Sequence, residues 1–138
     1  MIRYEIGDAG ALSSETCECG RPFPLVKMVE GRTVEFLIST EGRYVSPLYV
    51  IHLTRVVYNP GSIKRFQLVQ QNKKEFFLKL EIEPNVNREQ LSKKEQNIRR
   101  DLKTVLGTGA ILNVEEVNRI EETDSGKLLY TVNRSGLT

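Results

Sequence analysis

Ile63-Lys64-Arg65-Phe66-Gln67-Leu68-Val69-Gln70, the polar step Gln71-Asn72-Lys73-Lys74 and Glu75-Phe76-Phe77-Leu78-Lys79-Leu80-Glu81-Ile82-Glu83 form the stretch on which the fold turns. Apolar and polar residues alternate through both runs, so each reads as a strand with one face toward a core, and the polar step between them predicts a β-hairpin. Just beyond, Asn87 opens a run in which Leu91, Ile98, Leu102, Val105 and Leu106 share one helical face. Asn is suited to accept hydrogen bonds from the free amides of a first helical turn, and Gly107 supplies the positive-φ residue that ends such a helix. Residues 110–117 read as a further strand, and 128–132 as a short tail.

Upstream, Val34-Glu35-Phe36-Leu37-Ile38-Ser39-Thr40, the turn Glu41-Gly42 and Arg43-Tyr44-Val45 predict another hairpin. Ser46-Pro47 then restarts the chain as a helix, with Ser46 as cap and Pro47 in the first turn. Its apolar side is assigned from Leu48, Ile51 and Val56, and it ends near Asn59-Pro60-Gly61. The single histidine, His52, falls on that side and reads as a packed core or boundary residue rather than a ligand. The order strand, helix, strand, strand, helix, strand predicts an α+β, ferredoxin-like βαββαβ domain with both helices on one sheet face, preceded by a β-hairpin arm.

The chain has 138 residues, a length that buries enough apolar surface for one core without disulfides. Charged residues make up 28% but the formal net charge is only +2, which gives no reason to expect a polyanion binder. The paired aromatics of an RNA-binding sheet are also missing, so no nucleic acid is expected. No run approaches a membrane span, and the amino terminus lacks the basic-then-apolar order of a signal peptide, so the expectation is a cytoplasmic protein with no membrane partner. Met1 to Asp8 alternates like the end of a strand, and residues 9–24 are small and polar, too poor in apolar side chains to form a core of their own. Residues 1–31 are therefore expected to be the tail of a larger domain with its linker, and 32–138 a domain in their own right.

Four short segments carry chemistry. Arg3-Tyr4-Glu5-Ile6-Gly7-Asp8 sets a carboxylate at a strand end, and Gly31-Arg32-Thr33-Val34-Glu35 sets an arginine beside a flexible glycine. Cys17-Glu18-Cys19-Gly20-Arg21 holds both cysteines at a spacing too tight for ordinary disulfide geometry, leaving reduced thiols or half of a tetrahedral zinc site. Thr123-Asp124-Ser125-Gly126-Lys127-Leu128 sets a lysine on a glycine-containing loop. Taken singly they are a turn aspartate, an ordinary Gly-Arg turn, free thiols and a solvated loop lysine.

Taken together and in their order along the chain, they resemble the motifs of the adenylate-forming (AMP-binding) ligase superfamily. The Cys-x-Cys-Gly-Arg segment, Glu41-Gly-Arg-x-x-Ser-Pro47 and Phe66-Gln-Leu-Val-Gln70 are similar to the phenylacetate-coenzyme A ligase and capsular-polysaccharide-biosynthesis branch. The resemblance implies a carboxyl-terminal lid that swivels at a hinge around Val34 and Glu35. It implies that Asp8 accepts hydrogen bonds from the ribose hydroxyls of ATP, that Arg32 reaches the ribose or phosphates, and that Lys127 acts in catalysis. A carboxylate offers only acceptors, which suits two hydroxyls, and a flexible ammonium offsets the charge that builds as a carboxylate attacks the α-phosphate.

The resemblance implies a complete enzyme that uses ATP with Mg, a small-molecule carboxylate and an acceptor, either coenzyme A or another nucleophile. Its phosphate loop lies on an N-terminal AMP-binding domain that has no counterpart in this sequence. The isolated chain is accordingly expected to be inactive and to hold no cofactor tightly by itself, with zinc at Cys17 and Cys19 left open. The alternative is a free-standing ferredoxin-like module for binding or protein interaction, which keeps the motifs only as ancestry.

Overall fold

β5 (Ile63–Gln70) and β6 (Glu75–Ile82) form the expected antiparallel hairpin in the computed structural model, which describes residues 8–32, 36–58, 61–123 and 126–136, the side chains of 8, 9 and 28–32 excepted. Phe66 faces Leu80, Leu68 faces Leu78 and Gln70 faces Phe76 across the ladder, and all six are buried. On the other face, Arg65 stands opposite Glu81 and Gln67 opposite Lys79, a polar stretch that ends at the apolar pair Val69 and Phe77. Asn72 closes the turn by accepting hydrogen bonds from the N–H groups of Lys74 and Glu75 at 2.9 and 3.0 Å. Its side chain thus substitutes for a backbone turn.

The chain divides into two units, Met1–Val34 and Glu35–Thr138. In the larger, α2 (Arg88–Leu106) starts where Asn87 Oδ1 accepts from the N–H groups of Glu89 and Gln90, at 3.0 and 3.2 Å. It buries Leu91, Ile98, Leu102 and Leu106 and stops at Gly107, whose φ is +100°. A Cβ there would collide with Thr40 Oγ1, so glycine is required by space as well as by conformation. The Leu106 carbonyl, otherwise an orphan of the helix end, accepts from Thr40 N–H at 2.8 Å. α2 then returns the chain as β7 (Ile111–Glu116), parallel to β6.

The mixed α/β class, the central sheet and the two helical segments agree with the sequence reading, whereas the ferredoxin-like detail does not. The four-stranded sheet has the order β7-β6-β5-β8, and its fourth strand is β8 (Thr131–Asn133), parallel to β5, from the segment read as a tail. In the larger unit, the strands ahead of the first helix, β3 (Leu37–Ile38) and β4 (Tyr44–Val45), form a separate two-stranded sheet among the described residues. The physical reason lies at Gln70. Its side-chain amide takes up the N–H and the C=O of Ile38, both at 2.8 Å, the groups that a sheet neighbour would otherwise use.

The first helix also differs in register. α1 (Pro47–Ile51) follows Ser46, which takes the cap position without a side-chain cap bond, and continues as a π-helical segment His52–Val57. Pro47, Val50, Leu53 and Thr54 point inward, while Leu48, His52 and Val56 are exposed. His52 is thus a surface residue and not a core one, because the buried stripe runs through Val50 and Leu53, and residue 52 falls off it. Buried residues of both helical segments join Phe66, Leu68, Phe76, Leu78 and Leu80 in one core, so both cover the same sheet face.

The smaller unit holds a strand pair of its own. Within the stretch read as a linker, β1 (Asp8–Leu12) pairs antiparallel with β2 (Val26–Arg32), Gly10 opposite Val29 and Leu12 opposite Val26. A backbone ladder needs no apolar side chain, so the small residues of β1 gave no alternating signal.

Candidate functional site

Lys127 lies on the connection between β7 and β8, which have to be joined from one edge of the sheet to the other. Val117 N–H leaves β7 bonded to the Leu80 carbonyl at 2.8 Å. The strap is then gripped from the polar sheet face. Glu81, 5% exposed, sets Oε1 2.7 Å from Lys64 Nζ and uses Oε2 to accept from Ile120 N–H at 3.3 Å. Its cross-strand partner Arg65 donates from Nη1 to Glu122 Oε1 at 2.7 Å. Beyond the lysine, Gln67 Nε2 donates to the Leu129 carbonyl at 2.9 Å, and Leu68 N–H to the Tyr130 carbonyl at 2.8 Å.

The tip is itself a turn. Gly126 N–H donates to the Thr123 carbonyl at 2.7 Å, Thr123 N–H to the Lys127 carbonyl at 2.9 Å, and Lys127 N–H to Thr123 Oγ1 at 3.1 Å. Gly126 has φ +73°, a conformation open to glycine at no steric cost. The Lys127 side chain is exposed, and among the described residues its ammonium has no ion-pair partner. The arrangement fixes the backbone and leaves the point charge free to swing. Asp124 and Ser125 of the same motif lie outside the described residues.

The Glu81 carboxyl is held below the usual carboxylate range, first by the hydrogen bond from Lys64, with a further contribution from Ile120 N–H and against the opposing effect of burial. A charged Glu81 is therefore the form that grips the strap.

In the smaller unit, Asp8 and Arg32 are register partners, at the start of β1 and the end of β2. Two residues 24 positions apart in sequence are thereby brought to one end of one hairpin. The hinge candidates Val34 and Glu35 lie outside the described residues, as do positions 3–7 of the first motif.

Cys17 and Cys19 sit in a turn in which Gly20 N–H donates to the Cys17 carbonyl at 3.0 Å. Their sulfurs are 2.7 Å apart, and both are free thiols. The Cys19 thiol is lowered, first by its hydrogen bond with Cys17 and then by backbone at Arg21. A lowered thiol favours the thiolate that binds metal. Among the described residues, however, no group of three or more His, Cys, Asp or Glu side chains converges, so the pair fits a tetrahedral ion only as half of its donor set.

The strap anchors escaped the sequence reading. Arg65, Gln67 and Glu81 stand at outward positions of alternating strands, where polar residues are ordinary, and only the path of a distant segment gives them partners. Gln70 did leave a signal, since it continues the inward row of Phe66 and Leu68 and is a polar residue in an apolar register.

No helix among the described residues is long and apolar enough to cross a membrane. Residues 37–134 match the model of the CapK C-terminal domain family. The chain is 28% identical over 134 residues to Protein CapK of Staphylococcus aureus, covering 96% of this chain and 29% of that protein. Its fold is similar to part of a solved 2-hydroxyisobutyryl-CoA ligase, an open conformation in complex with 2-HIB-AMP and CoA. That match has TM-score 0.53 and 21% identity, covering 91% of this chain and 27% of the ligase. The chain thus spans less than a third of the length of either relative.

Proposed function

Because the chain belongs to the CapK C-terminal domain family, we propose that it is the mobile lid of an ATP-dependent, acyl-adenylate-forming ligase, with Lys127 as its catalytic residue. The observation that carries this reading is the presentation of Lys127, an exposed ammonium on a loop whose backbone is bonded on both sides of the lysine. In the first half-reaction, a carboxylate oxygen attacks the α-phosphorus of ATP, an acyl-phosphate bond forms, and pyrophosphate leaves. Negative charge concentrates between two anions, and an ammonium delivered there lowers the barrier without forming a covalent bond. Mg, expected with the ATP, would offset charge on the leaving pyrophosphate.

Asp8 and Arg32 are proposed to receive the nucleotide. Asp8 accepts from the two ribose hydroxyls and Arg32 donates to ribose or phosphate oxygens, tasks that suit an acceptor-only carboxylate and a five-donor guanidinium. Their pairing across β1 and β2 supports a shared site. Val34 and Glu35 are proposed as the pivot, coinciding with the boundary between the two units. The proposed partner is an N-terminal AMP-binding domain, and the proposed acceptor of the second half-reaction is coenzyme A, as in an acyl-CoA synthetase that resembles phenylacetate-CoA ligase. Zinc, if held, would take Cys17 and Cys19 as two thiolate ligands, with the remainder supplied from elsewhere.

The test is carboxylate-dependent pyrophosphate exchange by the catalytically complete ligase carrying this lid. Lys127→Ala is expected to slow exchange by about 10²- to 10³-fold, the scale of one lost charge-stabilising donor. Exchange at the parental rate in that variant would end the lysine assignment.

A further inference from the structure

Two charged side chains stand where they can decide how reproducibly the lysine arrives. Arg65 and Glu81 are cross-strand partners on the sheet face away from the helices, and they hold alternate residues of the strap, Glu122 and Ile120. The next outward residue on β5, Gln67, holds Leu129 on the far side of the lysine. We propose that Arg65 and Glu81 are positioning residues for the adenylation step, clamping the strap so that Lys127 Nζ reaches one place rather than a range of places. The inference rests on the catalytic reading of Lys127 and adds the part of the fold that aims it.

The physical argument is one of tether length. A lysine side chain alone sweeps several ångströms, and a loose loop beneath it multiplies that range. Fixing the loop at Ile120, Glu122 and Leu129 leaves only the side-chain torsions to be ordered at the transition state, so less entropy is lost there. Glu81 is suited to the role because it is buried, ionised and bound by Lys64 through its other oxygen, so the carboxylate cannot turn away without breaking an ion pair. Arg65 and Glu122 are each about one-third exposed, so their ion pair can be removed without opening the core.

The experiment uses Glu122→Gln, Arg65→Met, their double variant and Glu81→Gln, with Lys127→Ala alongside. Hydrogen exchange on this chain reads strap order directly. Residues 119–123 and 126–130 should exchange faster in the variants while the β5–β6 ladder keeps its protection. In the complete ligase, Glu122→Gln and Arg65→Met should each slow adenylation by roughly 10- to 100-fold. The double variant should be no slower than either single one, while transfer from preformed acyl-adenylate to coenzyme A is unchanged.

A strap that stays protected in all variants, or adenylation at the parental rate while Lys127→Ala is inactive, overturns the positioning role and leaves the lysine reading intact. An active Lys127→Ala ligase instead removes the reading on which the role depends. Equal slowing of both half-reactions marks a merely structural contribution and also overturns the proposal. Because Glu122 is a surface residue of the strap, its variant keeps the test decisive should Glu81→Gln fail to fold.

Discussion

Gln70 turns its side-chain amide on the backbone of Ile38, Oε1 accepting from the N–H and Nε2 donating to the carbonyl, each at 2.8 Å. The pair satisfies two buried backbone groups with one side chain and docks β3 beside the end of β5. Asn133 Nδ2 adds a bond to the Phe36 carbonyl at 3.3 Å, so the first described residues of the larger unit are bound to the sheet from two strands.

Removing that amide leaves Ile38 with an unpaired donor and acceptor. Gln70→Leu is expected to cost about 2 to 4 kcal/mol in urea unfolding, from the loss of two buried hydrogen bonds. Gln70→Glu keeps an acceptor but turns a carboxylate on a carbonyl, so its cost should be greater at neutral pH than at pH 4. Parental stability in Gln70→Leu would show that the docking contributes nothing to the fold.

Gly107 combines φ +100° with a space already filled by Thr40 Oγ1. Gly107→Ala should lower stability by about 1 to 3 kcal/mol through backbone strain alone, with the Thr40 collision adding to it. The variant Thr40→Ala/Gly107→Ala should recover part of the loss, measured by thermal unfolding. No recovery would place the whole cost in the backbone.

The folded pKa of Glu81 is depressed below that of an unfolded chain. Its contribution to stability is therefore fully present above an unfolded carboxylate pKa of about 4.3, and is lost as the pH falls through the lower folded value. Glu81→Gln should flatten this acid limb of the stability profile and loosen residues 119–123 and 126–130 already at pH 7. An acid limb identical in parent and variant would contradict the assignment.

Glu95 has the opposite sign. Burial, followed by the nearby Glu116 carboxylate, raises its pKa, so its ionised form opposes folding above that pKa. Glu95→Gln is expected to stabilise the protein at pH 7 and to have no such effect near pH 4, where the parental side chain is protonated. Thermal melts at the two pH values check this, and destabilisation at pH 7 would be the contrary result.

Lys127 is exposed, so replacing it should leave folding alone. Lys127→Ala is expected to change unfolding free energy by less than about 0.5 kcal/mol, in keeping with surface substitutions. A larger loss would give the residue a structural role that competes with the catalytic one.

Most of the short-range repeats could be read from the residues alone, the register of the first helix excepted. The β5–β6 hairpin with its Asn72 turn, the helix from Asn87 to Gly107 and the inward row Phe66, Leu68, Leu78 and Leu80 follow from periods of two and 3.6 residues and from the chemistry of turn and cap residues. The proposed site residues Lys127, Asp8 and Arg32 were singled out by their sequence neighbours, and their roles rest on the experiments above. Tertiary structure alone decided who neighbours whom. It put the three residues of β8 on the free edge of β5, turned Gln70 on Ile38, moved His52 off the buried stripe and ran the strap across Arg65 and Glu81. Each of those outcomes depends on a partner distant in sequence, and a hydrogen bond between remote groups leaves no periodic trace in either of the segments it joins.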